Sequence, residues 1–178
     1  LHLFFHQTQN KYYLAKNPNF TPMIDSLKNH FPDARIIYLV RNPLQVIPSY
    51  VSMLQGQAEV LDDQISKKTI SNYVIELARH WYTYPLERLE KLPKSSYSII
   101  RLEDLSQDVK KTVKKIYKKF NLSMTEKFSK KLDKATKKSR RHKSKHDYSL
   151  VSAGLTKDEI LTEFKDIFER FGFSKHLY

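Results

Sequence analysis

The chain has 178 residues, 40% of them hydrophobic and 12% aromatic, which is one domain's worth of sequence with enough apolar material for a sizeable core. Cysteine is absent, so a disulfide framework and any Cys-based metal or redox site are excluded. The formal net charge of +13 speaks to partners and solubility rather than to fold.

No run approaches the ~20 consecutive apolar residues of a membrane span. The opening LHLFFHQTQNKYY has neither the basic start nor the small-residue cleavage site of a secretory signal, and this favours the cytoplasm. The chain does not begin with Met and is expected to be a fragment, or a processed or incomplete reading frame. Leu3, Phe4 and Phe5 read as the end of a helix or a partly cut element, and Tyr12-Tyr13-Leu14 as a short strand leading to Lys16. Thr21 is a suitable N-cap with Pro22 at the first helical position. Ile24, Leu27 and Phe31 keep helical spacing until Pro32.

Ile36 to Val40, a short apolar and β-branched run, reads as a buried parallel strand. It delivers Arg41, then Asn42-Pro43, with Pro well placed in the first turn of a helix reaching about Leu54. Residues 55–63, which include Gly56, read as a loop. A long helix is expected from about Asp63 to Leu92, with Tyr73, Leu77, Trp81 and Tyr84 as its buried stripe and Pro85 as a kink or interruption. Tyr97 to Leu102 is a second β-rich segment. Two lysine-rich helices follow, the second opened by a capping box of Ser123 with Glu126. Residues 137–152 read as a polar, basic loop. The last helix starts at a second capping box, Thr156 with Glu159, and Gly172 closes it. Strands alternating with helices argue α/β with a parallel sheet, although only two or three strands are visible.

Arg41 sits where a strand ends and a helix begins, the place where open α/β sheets bind ligands. Its planar fork matches phosphate. Ser49, eight residues on, lies about two turns into the helix and can offer a hydroxyl to the same anion. On the residues alone, an Arg paired with a carboxylate and an ordinary helical Ser explain the pattern too.

The segment KNPNFTPMIDSLKNHFPDARIIYLVRNPLQVIPS resembles sulfotransferases that use 3′-phosphoadenosine 5′-phosphosulfate (PAPS). In that family an FPDAR-like turn leads into a strand ending in Arg-Asn/Asp-Pro, with Ser eight residues after the Arg. The resemblance implies that Arg41 and Ser49 hold the 3′-phosphate of PAPS, or of the product PAP. It also implies that Lys16, in the family's Lys-Ser/Asn/Asp-Pro motif, lies near the bridging oxygen. An ammonium there stabilises the leaving phosphate electrostatically. The stretch Lys143-Ser144-Lys145-His146-Asp147-Tyr148-Ser149-Leu150 resembles the family's KSxHxYSL loop, which closes over PAPS. Lys143, Ser144, His146 and Tyr148 are thereby candidates for cofactor contacts, and His146 could equally be structural. YSIIRLEDL resembles the strand ending in Tyr-Glu-Asp-Leu. Leu102 stands where the family has Tyr, and Glu103 and Asp104 are expected to cap or brace the next helix.

The implied fold is a P-loop NTPase-like three-layer αβα domain with a parallel sheet, present here as a single partial sulfotransferase domain over 1–178. The chain has three glycines, Gly56, Gly154 and Gly172, and none belongs to a phosphate-binding loop. The first strand and the 5′-phosphosulfate loop are therefore expected upstream of Leu1, and the general base with them. His2, His6 and His30 have no context that marks a base. The expected activity is sulfuryl transfer from PAPS to a hydroxyl or amine of an unidentified acceptor, with no metal. The rivals are a basic nucleic-acid-binding module and a fragment of a P-loop kinase.

Half of the 32 basic residues fall between Lys110 and Lys145, opposed there by Glu126 and Asp133 alone. Val109, Val113, Ile116, Tyr117 and Phe120 keep helical spacing with lysines on the other face, which reads first as a solvated amphipathic helix. The run carries no helix-turn-helix, RNP or zinc pattern, so no nucleic acid is expected as a partner. A basic mouth that attracts a polyanionic cofactor is a further use of the same charge.

Overall fold

A computed structural model describes residues 13–60, 65–141 and 149–176. The apolar run IIYLV forms strand β1 (Ile36–Val40), and β2 (Tyr97–Arg101) lies beside it. The pair is parallel, in register from Ile36 opposite Tyr97 to Val40 opposite Arg101. Before β1 come a 3-10 helix, Pro18–Met23, and α1 (Ile24–His30). The crossover from β1 to β2 contains α2 (Pro43–Val60) and α3 (Lys67–Glu90). After β2 follow α4 (Leu102–Gln107), α5 (Val109–Lys119), α6 (Glu126–Arg141), α7 (Lys157–Glu163) and α8 (Lys165–Phe171).

The main core joins β1 and the crossover helices to the C-terminal helices. Val40, Leu44, Ile47 and Val51 meet Val74, Ala78, Tyr82 and Leu86, and Ile160, Phe164, Ile167 and Phe168 close over them. A smaller cluster of Ile24, Leu89 and Tyr97 sits at the opposite end of the strands. Alternate residues of β1 face different ways. Tyr38 and Val40 turn to the core, whereas Ile37 and Leu39 are 39% and 47% exposed on the other face.

Several element boundaries differ from the sequence reading, each for a local reason. Tyr13 and Leu14 are exposed and outside any strand, and Tyr12 lies outside the described residues. Asn17, rather than Thr21, caps the first turn: its side chain accepts the Asn19 N–H at 3.0 Å, with Pro18 at the first position. α2 runs through Gly56 to Val60, because a Gly lowers helix propensity by only about 1 kcal/mol and does not by itself end a helix. Thr125, rather than Ser123, caps α6 by accepting the Phe128 N–H at 3.2 Å, and the helix continues to Arg141. The Thr156–Glu159 capping box forms as read, and Gly172 closes α8 in the left-handed region at φ 58°. Between them the expected single helix is two: the backbone at Phe164 (φ −108°, ψ 24°) leaves the helix as its ring enters the core.

In α3 the buried stripe is Ile70, Val74, Ala78, Tyr82, Leu86 and Leu89. The expected markers flank it: Tyr73 is 55% exposed, and Leu77, Trp81 and Tyr84 are half-buried. The seam takes small residues such as Ala78, while the large rings lie at its margin, with Trp81 edge-on to Tyr50 at 5.1 Å. Pro85 does not interrupt the helix. Its missing N–H orphans the carbonyl of Trp81, four residues earlier. The Tyr38 hydroxyl on β1 donates to that carbonyl at 2.5 Å. The strand thus supplies the hydrogen bond that the helix cannot.

Candidate active site

Both strands end at the same level, so Arg41 and Leu102 emerge side by side at the carboxyl edge of the sheet. Asn42 organises the turn that follows β1. Its side-chain oxygen accepts the Leu44 N–H at 2.9 Å, and its carbonyl accepts from Gln45 and Val46. Asn42 is therefore the N-cap of α2, with Pro43 at the first helical position. Its side-chain NH2 donates to the Ser174 carbonyl at 2.8 Å. Arg101, at the end of β2, donates to the Phe171 carbonyl at 2.9 Å. The C-terminal turn is thus tied to the ends of both strands.

Two further groups hold the turn. The Tyr82 hydroxyl on α3 donates to the Arg41 carbonyl. Burial pushes this phenol well above its ordinary value, and the neighbouring Tyr38 and Glu103 add to the effect while Arg41 opposes it. Glu103 accepts the Asn42 N–H at 3.2 Å. Its other carboxylate oxygen is buried with no partner among the described residues. The sequence reading has Glu103 bracing the following helix; the structure turns it across to the neighbouring strand's end. Asp104 instead takes the Arg101 fork at 2.6 and 3.0 Å.

The main chain of Arg41 is fixed while its guanidinium is lightly held. The Nε donates to the Gln45 side-chain oxygen at 3.3 Å, and among the described residues no ion pair uses Arg41. The carboxylate partner that would make this residue merely structural is not found there. Gln45 and Ser49 are four apart on α2 and share one face, so Arg41, Gln45 and Ser49 line successive turns at the helix N-terminus. That end carries the positive pole of the helix dipole, which favours an anion. Ser49 is half-buried. Gln45 was not singled out in the sequence, although its place four residues after Arg41 and before Ser49 is the signal that could have found it.

Lys16 is exposed in an extended segment ahead of the 3-10 helix, and no hydrogen bond or ion pair links it to Arg41 or Ser49. Lys143, Ser144, His146 and Tyr148 lie outside the described residues. Ala153, where related loops have an aromatic, is buried, and its carbonyl accepts the Ser71 hydroxyl at 2.5 Å. Among the described residues no group of three His, Asp or Glu side chains is arranged to hold a metal ion, and no helix is long and apolar enough to cross a membrane.

The sequence model of the sulfotransferase family matches residues 2–126, more than half of the chain and the whole of the β1–α2 turn. The chain belongs to the sulfotransferase family. The fold of this chain is similar to the crystal structure of sulfotransferase STF9 from Mycobacterium avium, with a TM-score of 0.75 at 17% identity. The match covers 89% of this chain and 41% of that one, so the chain spans less than half of that protein's length. No curated protein matches it. The mixed α/β fold with a small parallel sheet is that of a sulfotransferase, P-loop-like in kind.

Proposed function

We infer that this chain is the 3′-phosphate-binding part of a PAPS-dependent sulfotransferase. The whole enzyme moves a sulfuryl group from PAPS to a hydroxyl or amine by in-line displacement. One observation carries the reading. Arg41 stands at the carboxyl end of β1 with its backbone fixed by Tyr82, its guanidinium free of any ion pair described, and Ser49 on the helix face behind it.

Arg41 and Ser49 hold the 3′-phosphate, and Gln45 sets the plane of the guanidinium through its hydrogen bond. Asn42 and Glu103 keep the turn rigid, so the fork is pre-organised before the nucleotide arrives. Lys16 is the cation assigned to the leaving phosphate, on the strength of its Lys-Asn-Pro context. Lys143, Ser144, His146 and Tyr148 are assigned to the loop over the nucleotide on their motif alone. Family membership sets aside the kinase rival.

Calorimetry with PAP on the full-length protein tests the reading. Specific 1:1 binding is expected. Arg41→Ala should cost about 1.5–3 kcal/mol of binding free energy, the range for a charge-assisted hydrogen bond. Unchanged affinity in the variant would remove Arg41 from the phosphate site.

A further inference from the structure

The lysine run forms a groove rather than a simple solvated surface. α5 and α6 pack as an antiparallel hairpin. The Lys110 N–H donates to Thr136 Oγ at 3.0 Å near one end, and Tyr117 meets Phe128 with ring centroids 5.5 Å apart near the other. Lys111, Lys114, Lys115 and Lys118 of α5 thereby share a groove with Lys137 and Arg140 of α6. Two acidic residues also line it, and both are already engaged: Asp133 with Lys110 at 2.7 Å and Asp108 with Arg140 at 3.5 Å. The side chains of Lys114, Lys118 and Lys137 enter no hydrogen bond or ion pair among the described residues. Lysines four apart on a helix repeat every ~6 Å along its axis, so each wall presents a periodic row of positive charge.

The groove has a direction. Its far end lies at the amino ends of the strands, where the Lys119 ammonium sits over the Tyr97 ring at 5.0 Å and the Arg35 guanidinium over the Phe120 ring at 5.8 Å. Its near end lies beside α4, which starts at the carboxyl end of β2. There Arg140 donates to the Gln107 carbonyl at 2.7 Å and Ser139 to the Ser106 carbonyl at 3.0 Å. The positive rows therefore run toward the edge of the sheet that carries Arg41. From Lys127 on, α6 lies outside the residues that the family model matches.

We propose that the α5–α6 groove binds a linear anionic polysaccharide and directs it to the crevice as the sulfuryl acceptor. This rests on the sulfotransferase reading above and names its substrate class. Three observations favour a carbohydrate chain over other polyanions. A sulfuryl acceptor must offer hydroxyls or amines, which such a chain does at every repeat. No large apolar or aromatic side chain is exposed on α5 or α6, so nucleobases have no stacking platform. The same lack of apolar side chains, and the grooved arrangement of the charges, gives a lipid surface nothing to insert.

The test uses the full-length protein and its Lys114→Gln/Lys118→Gln/Lys137→Gln variant, whose substitutions are exposed and leave the Arg41 turn untouched. Fluorescence anisotropy measures binding of a labelled hyaluronan oligosaccharide, a duplex DNA of equal total charge and a neutral dextran. Expected are binding of hyaluronan, a roughly tenfold or greater loss in the variant, and a shallower dependence of affinity on salt in the variant. Equal hyaluronan affinity in the two proteins overturns the proposal, as does duplex DNA that binds more tightly and displaces the polysaccharide. Sulfuryl transfer from PAPS to dextran but not to bound hyaluronan would overturn the acceptor role. PAP calorimetry on the same samples separates the two levels. Loss of PAP binding contradicts the sulfotransferase reading, whereas intact PAP binding without polysaccharide binding contradicts only the groove.

Discussion

Replacing Tyr38 by Phe removes one oxygen atom and tests how strand β1 and helix α3 are joined. The Tyr38 hydroxyl donates at 2.5 Å to the Trp81 carbonyl, the group that Pro85 leaves without a helical donor. In Tyr38→Phe that carbonyl becomes an orphan in a partly buried site, which costs about 1–3 kcal/mol. If Pro85 is first changed to Ala, residue 85 regains an N–H and can close the helical bond to Trp81 itself. The same Tyr38→Phe change should then cost about 0.5 kcal/mol, the net worth of a hydroxyl whose acceptor has another partner. The expected coupling between the two positions is therefore about 0.5–2.5 kcal/mol. Urea unfolding of the four proteins at constant slope measures it, and for a chain of this size each kcal/mol also moves the melting temperature by about 2–4 °C. A Tyr38→Phe cost that is the same with Pro or Ala at position 85 would refute the reasoning.

Other outcomes follow from the same geometry. Glu103→Ala should weaken PAP binding severalfold, because the Asn42 N–H loses its acceptor, and Glu103→Gln should restore most of it; equal binding by the Ala variant in calorimetry would show that the turn stands without Glu103. The Arg101 hydrogen bond holds the Asp104 carboxyl below its usual range, so its stabilising contribution is present above about pH 4 and is lost as pH falls further; the stability gap between wild type and Asp104→Asn, from denaturant curves, should shrink across that window. Thr156→Ala should lower stability by about 0.5–2 kcal/mol through loss of the α7 cap, measurable as a lower urea midpoint. Gly172→Val should cost about 1–2 kcal/mol because φ 58° is strained for any residue with a Cβ, and a midpoint unchanged within error would refute the strain argument.

The parts of this molecule legible in the sequence were those specified by neighbours in the chain. β1 follows from an uninterrupted apolar run, the α2 start from Asn-Pro, and the α7 cap from Thr with Glu three residues on. What could not be read depends on partners far away. Pro85 looks like a break until a hydroxyl 47 residues earlier in the chain, on Tyr38, meets the freed carbonyl. Glu103 looks like a helix brace until parallel pairing sets β2 beside β1 and brings its carboxylate to the Asn42 N–H. The α3 stripe was misplaced by one position because ring size is a poor guide to which face is covered: the seam is set by Val74, Ala78 and Leu86, which pack against α2 and the C-terminal helices. The lysine run likewise reads as one solvated face per helix until the hairpin sets the two rows in one groove. Arg41 and Ser49 stand out as candidates in the sequence, whereas Gln45 and Tyr82, which hold the Arg41 side chain and backbone, do not.

The central claim is that Arg41 recognises the 3′-phosphate. It is tested most directly by comparing PAP with adenosine 5′-monophosphate, which lacks only that group, on wild type and Arg41→Ala. Calorimetry should show wild type preferring PAP by a factor of roughly ten to a hundred, with Arg41→Ala losing most of that preference while its affinity for the monophosphate stays within about twofold. A preference for PAP that survives intact in Arg41→Ala would contradict the account.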